Sequence, residues 1–177
     1  MGELWDIYDQ CRSKTGRFHE RGKPMVKGDY HLIVQVWIVN SIKEFLITKR
    51  SPSQSFWPNR WHATGGCAVA GDDSLTTALK ETQEKLGVSL NPQNGRLFTS
   101  YTKPHDKDDG SAFYDIWLFA QDIELSDMVL QEEEICDAKW ASPQEIRSII
   151  ENGGFVPASE CPYLDELFAF CREFTLD

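Results

Sequence analysis

Glu81 and Glu84, two carboxylates three residues apart with Lys85 directly after, are the side chains of this chain best spaced to do chemistry. They sit in the run KETQEK, residues 80–85. At ~100° per residue, Glu81, Glu84 and position 85 share one face of a helix. Carboxylates gathered this way suit a hard cation that prefers oxygen, such as Mg²⁺ or Mn²⁺. An ammonium group does not. Spacing alone also admits an ordinary solvated helix face, and by itself favours it.

The elements that must position these residues follow from the pattern around them. Asp72, Asp73 or Ser74 can cap a helix that runs to about Leu86 and stops at Gly87. Residues 31–39, HLIVQVWIV, read as a buried strand, with 45–49 returning as its hairpin partner. A first short strand is expected at 4–8, and the run KTGR at 14–17 as a turn into another. The polar stretch 19–29 reads as loop, as does the turn-rich 52–60, which leads into 61–67. Strands are expected at 96–102 and 112–120, joined by the charged loop 103–110, and a short one at 137–140. Ser142 caps a helix over 143–151 with Pro143 at its first position, and 162–174 has the apolar spacing of a last helix. Strands and helices in this mixed order predict the α/β class, arranged as an α/β/α sandwich.

Composition narrows the function. A chain of 177 residues suits one domain with a proper core. Its net charge of −10 argues against nucleic acid as a partner, because phosphate backbones call for Lys and Arg. A phosphorylated substrate would therefore need local basic residues or a metal. The five cysteines are odd in number and show no CxxC spacing, the pattern of a reduced, cytoplasmic protein. No signal peptide and no apolar run of membrane-spanning length is expected. Oligomeric state stays open.

Residues 66–88 resemble the Nudix box, G-x5-E-x7-R-E-U-x-E-E-x-G-U, where U is a bulky aliphatic. Gly66, Glu81, Glu84 and Gly87-Val88 match; Asp72 stands for the first glutamate and Lys80 for the arginine. Thr82 falls at an aliphatic position, and Lys85 replaces the last glutamate. Outside the box, WDIYD at 5–9, TGR at 15–17, YHL at 30–32, KRS at 49–51, WPNRW at 57–61 and QEEEI at 131–135 resemble the Nudix branch related to isopentenyl diphosphate isomerase. On these residues the chain is identified as a member of the Nudix hydrolase superfamily.

The resemblance implies one Nudix domain over residues 1–177, an α/β/α sandwich with a mixed sheet. It implies Mg²⁺ or Mn²⁺ held by Glu81, Glu84 and the Gly66 carbonyl, with Asp72, Lys80 and Lys85 in supporting places. The metal would hold a diphosphate while a water attacks phosphorus. In the acidic run 132–134, Glu134 is the choice for base or extra ligand, beside the plainer reading of a solvated loop. Asp115, in a strand near the expected site, reads as a further ligand or, in the favoured reading, as a surface-facing aspartate. Phe56, Trp57 and Trp61 either line a pocket and stack on a base or pack in the core.

Lys85 is the departure with consequences. At ~6 Å from a divalent ion and an effective dielectric of ~20, each unit charge is worth roughly 5 kcal/mol, so the reversal costs up to about twice that. Three readings stand: Lys85 swings clear, pairs with Glu81 at i,i+4, or contacts substrate phosphate in place of a metal. The function implied is hydrolysis of a diphosphate bond in a small nucleotide-like substrate, with weakened activity. The alternative is an inactive Nudix-fold binding module. Isomerase activity fits less well, since the isomerase cysteine falls on Gly66, one residue from Cys67, and a ligand histidine on Ala68.

Overall fold

The computed structural model describes residues 2–103 and 111–173. Strands β1 (Leu4–Tyr8) and β2 (Lys14–Glu20) form a hairpin, followed by β3 (Tyr30–Val39), β4 (Phe45–Arg50), β5 (Trp61–His62) and β6 (Thr64–Cys67). Helix α1 (Ser74–Leu86), strands β7 (Gly95–Lys103), β8 (Ser111–Ala120) and β9 (Ile135–Ala141), and helices α2 (Pro143–Glu151) and α3 (Leu164–Glu173) complete the order.

β3 organises the sheet because its apolar run is covered on both faces. With a side-chain period of two, Val34, Val36 and Ile38 pack with Ala78 and Leu86 of α1. Trp37 and Val39 turn the other way, onto Ile146 of α2 and Leu167 and Phe168 of α3. The result is the α/β/α sandwich expected. β3 pairs antiparallel with β1, β4 and β6, and parallel with β8 from Tyr30–Ser111 to Val39–Ala120, so the sheet is mixed.

Helix α1 starts where the sequence offers three candidate caps and uses Asp73, whose carboxylate accepts from the Thr76 amide at 2.7 Å. Gly87 ends it at φ 69°, with its amide bonded to the Gln83 carbonyl. Thr82 is fully buried, and its hydroxyl donates to the Ala78 carbonyl at 2.8 Å. That internal bond lets a hydroxyl residue sit in an aliphatic place.

Several expectations are corrected. The turn expected at 14–17 lies inside β2; the chain reverses earlier, where the Asp9 carboxylate accepts from the amides of Cys11 and Ser13, each at 2.9 Å. Gly16, which suggested the turn, accompanies a register shift in the β1–β2 pairing instead. His19 and Glu20 belong to β2 rather than to a loop. Asp115 is buried, not surface-facing: it pairs with Arg12 of the β1–β2 turn and accepts from the Ser100 hydroxyl at 2.6 Å. Most of the expected 103–110 loop, His105 within it, and Phe174 lie outside the described residues.

Candidate active site around Lys85

β6 runs antiparallel beside β3, with Gly65 opposite Gln35 and Gly66 opposite Val34. Gly65 has no room for a side chain against the β3 backbone, and one on Gly66 would displace the Glu81 carboxylate. A Cβ on Gly65 would stand 2.2 Å from the Val34 carbonyl oxygen, and one on Gly66 2.2 Å from a Glu81 carboxylate oxygen. The close approach of Glu81 to the Gly66 backbone fixes where α1 meets the loop before it.

From the last turn of α1, Lys85 extends toward this glycine pair. Its Nζ donates to the Gly65 carbonyl at 2.5 Å and lies 2.9 Å from Glu81 Oε2 and 2.9 Å from Glu134 Oε2. Three acceptors meet the three donors of an ammonium. The Lys85 side chain is only 14% exposed, so it is held rather than swinging in solvent. The i,i+4 pair with Glu81 is formed, but it is one arm of a larger cage.

Glu134 reaches the cage because the chain before it is stitched to the end of α1. The Val129 amide donates to the Leu86 carbonyl at 2.9 Å and the Gln131 amide to the Lys85 carbonyl at 3.0 Å. On its other side, the Ser51 amide donates to the Glu134 carbonyl at 2.8 Å. Glu132 and Glu133 stay exposed.

The remaining predicted residues sit elsewhere. Glu84 is exposed on α1, near Lys80 and Gln83, and touches Glu81 only through its charge. The helical step explains this: position 84 lies about 60° to one side of Glu81 and position 85 about 40° to the other. The carbonyl at the cage is that of Gly65, not Gly66. Lys80 orients no glutamate; it grips both carboxylate oxygens of Asp72 at 2.8 Å. Asp72 therefore precedes the cap and holds α1 from the side. The local sequence sign available for Gly65 is its place directly before Gly66.

Burial pushes the Glu81 carboxyl upward, against the pull of Lys85. For Lys85 burial works the other way, yet the charges of Glu81 and Glu134 hold its ammonium above the ordinary lysine range. The stabilisation from a raised lysine is complete below its ordinary value of 10.5 and is lost only as pH climbs through the raised one. The Lys85 ammonium is thus charged at neutral pH. Burial first, then the charges of Arg50 and Lys85, push His62 well below the usual histidine range, so it stays neutral there.

The oxygens of Gly65, Glu81 and Glu134 converge where a cation would sit, and the Lys85 ammonium is that cation. Mg²⁺ asks for near-octahedral oxygen ligands at about 2.1 Å. Among the described residues, no group of three or more His, Cys, Asp or Glu side chains is placed to hold a metal ion. As arranged, these residues do not fit Mg²⁺ or Mn²⁺.

A cleft of about 200 Å³ opens beside the cage, its lining including Gln35, Arg50, Trp57, His62, Gly65 and Gly66. Trp57 is 44% exposed and Phe56 68%, which removes core packing as their explanation. Trp57 holds a left-handed backbone, φ 51°, in the loop before β5. That loop is tied to the cage's acidic segment, since Ser53 and Gln54 side chains donate to the Glu133 carbonyl at 3.2 and 3.0 Å. Cys67, by contrast, packs with Trp5, Ile7 and Met25, and burial pushes its thiol up to about 12. That is the setting of an inert thiol, not a nucleophile.

The NUDIX domain family matches residues 29–158, a span that takes in most of the mixed sheet, the glycine loop and helix α1. The chain belongs to the Nudix family. It is 34% identical over 167 residues to an uncharacterized Nudix hydrolase of Listeria monocytogenes, covering 94% of each chain. It is 27% identical over 90 residues, half of this chain and 49% of the other, to an isopentenyl-diphosphate Delta-isomerase of Paenarthrobacter aurescens. The crystal structure of DR0079 from Deinococcus radiodurans superposes with a TM-score of 0.72 at 22% identity, covering 96% of this chain and 99% of that one. No helix among the described residues is long and apolar enough to cross a membrane.

Proposed function

We propose that residues 1–177 form one Nudix domain that hydrolyses the diphosphate bond of a small nucleotide-like substrate, with weakened activity. The observation that carries this reading is the position of Lys85. The box keeps Glu81, Glu84 and its glycines, yet an ammonium takes the point on which the Gly65, Glu81 and Glu134 oxygens converge. Nudix hydrolases generally use divalent metals, and a saturated lysine holds the point on which these oxygens converge, so weak activity is expected. In this reading Glu134 is the base, and Glu81 and Glu84, with the Gly66 carbonyl, are the family's ligand positions.

The cleft argues for the nucleotide-like part. Trp57 offers a large exposed ring beside Arg50, and a base stacked on an aromatic is worth about 1–3 kcal/mol. Trp57→Ala is therefore expected to raise KM about tenfold on the preferred substrate, with kcat little changed. The five described cysteines are all free, in keeping with a cytoplasmic setting, and the net charge of −10 opposes a nucleic-acid partner.

The deciding experiment is phosphate release from a panel of nucleoside diphosphate derivatives with Mg²⁺ or Mn²⁺. Slow turnover, abolished in Glu81→Gln, is expected. Absence of turnover across the panel, or turnover indifferent to Glu81→Gln, would leave the binding module as the function. That second reading draws on the same saturated lysine.

A further inference from the structure

We infer that Lys85 is the resident cation of the Gly65–Glu81–Glu134 cage, and that the free protein thereby excludes Mg²⁺ and Mn²⁺ from it. This deepens the hydrolase reading and rests on it for the identity of the site. The cage's own chemistry stands on geometry alone.

Each donor of the ammonium has one oxygen: the Gly65 carbonyl at 2.5 Å and a carboxylate oxygen of Glu81 and of Glu134, each at 2.9 Å. Bonds from an ammonium to carboxylates are the strong kind, and the cage around them is largely shielded from water. The side chains of Glu81 and Glu134 are 17% and 32% exposed. All three donors are occupied, so contact between Lys85 and a substrate phosphate would require breaking one of these bonds. The neighbours do not free it either. Lys80 is committed to Asp72, and Glu84 lies round the helix on the exposed side.

Both ends of the cage are fixed by backbone. Lys85 stands in the last turn of α1 with its carbonyl bonded to the Gln131 amide, and Glu134 is held through Ser51. A divalent ion entering beside a retained ammonium would meet direct repulsion within about 4 Å. Entry after the lysine leaves requires breaking all three of its bonds. The lysine thus does by covalent attachment what a bound ion does by coordination: it neutralises the carboxylates and pins the glycine loop to the helix. What it cannot supply is a metal-bound water.

Mn²⁺ titration of the free, full-length protein, followed by electron paramagnetic resonance, tests this without any substrate. Wild type is expected to leave Mn²⁺ free at the cage, with Glu81→Gln indistinguishable from it. Lys85→Glu is expected to bind one Mn²⁺ at least tenfold more tightly than wild type, with circular dichroism confirming its fold. Stoichiometric Mn²⁺ binding by wild type that Glu81→Gln removes would overturn the inference. So would a folded Lys85→Glu that binds no better than wild type. If Lys85→Glu does not fold, the comparison of wild type with Glu81→Gln decides. Failure to find a hydrolysed substrate would sink the hydrolase reading and leave this Mn²⁺ comparison untouched.

Discussion

Lys85→Glu is expected to raise metal-dependent phosphate release at least tenfold and to make the protein's stability depend on metal. In the wild type the ammonium neutralises Glu81 and Glu134 from within, at 2.9 Å from each. Replacing it with glutamate puts three carboxylates around one point and removes their counter-charge. Breaking a buried ion pair by removing one partner costs about 3–5 kcal/mol, and partial exposure of Glu134 places this case at or below the lower end. Without metal, the variant should therefore melt well below wild type. With Mn²⁺ at a hundred times its dissociation constant, binding returns about 2.7 kcal/mol. The melting temperature of Lys85→Glu should rise with Mn²⁺ and that of wild type should not. Phosphate release should follow the same order, because a bound divalent ion lowers the pKa of its water and neutralises the diphosphate. Equal metal responses in the two proteins would remove Lys85 as the limiting feature.

Gly65→Ala is the substitution expected to cost most stability, about 3–5 kcal/mol or the fold itself. Its Cβ would stand 2.2 Å from the Val34 carbonyl oxygen and 3.0 Å from the Gln35 Cα. Both are backbone atoms of β3, which pairs on its other side with β8 along its whole length and has no freedom to retreat. Gly65 also has φ 153°, a conformation that side chains rarely accept. Gly16→Ala is the control. It too has positive φ, at 77°, but a Cβ there meets nothing within 4 Å, so its cost should be about 1 kcal/mol. Urea denaturation of the two variants separates steric clash from backbone strain. A Gly65→Ala midpoint no lower than that of Gly16→Ala would show that β3 gives way.

The frame of the molecule was legible because it rests on local pattern. The β3 run, the stop of α1 at Gly87, and α2 with Ser142 as its cap all declare themselves through periodicity and capping chemistry. What escaped depends on partners distant in sequence. Asp115 carries no local sign of burial; it is inside because Arg12, 103 residues away, meets it there. The glycine at position 16 looks like a turn, but the Asp9 carboxylate makes the reversal first.

The site divides in the same way. Glu81 and Lys85 stand out by spacing and are partners in the structure. Spacing puts Glu84 on the same face, but the helix carries it outward. Glu134 stands in an acidic run, and its approach depends on hydrogen bonds between residues 129–131 and the end of α1 that no periodicity announces. The carbonyl at the cage belongs to Gly65 because of the β3–β6 register, which a motif aligned on Gly66 does not contain.

The most direct test of the Lys85 cage is a crystal structure of the wild-type protein soaked in Mn²⁺, with anomalous scattering used to locate the metal. No anomalous peak is expected between Glu81 and Glu134, and Lys85 Nζ should lie within hydrogen-bonding distance of both and of the Gly65 carbonyl. A Mn²⁺ peak between the two carboxylates, with the Lys85 side chain turned out to solvent, would contradict the cage.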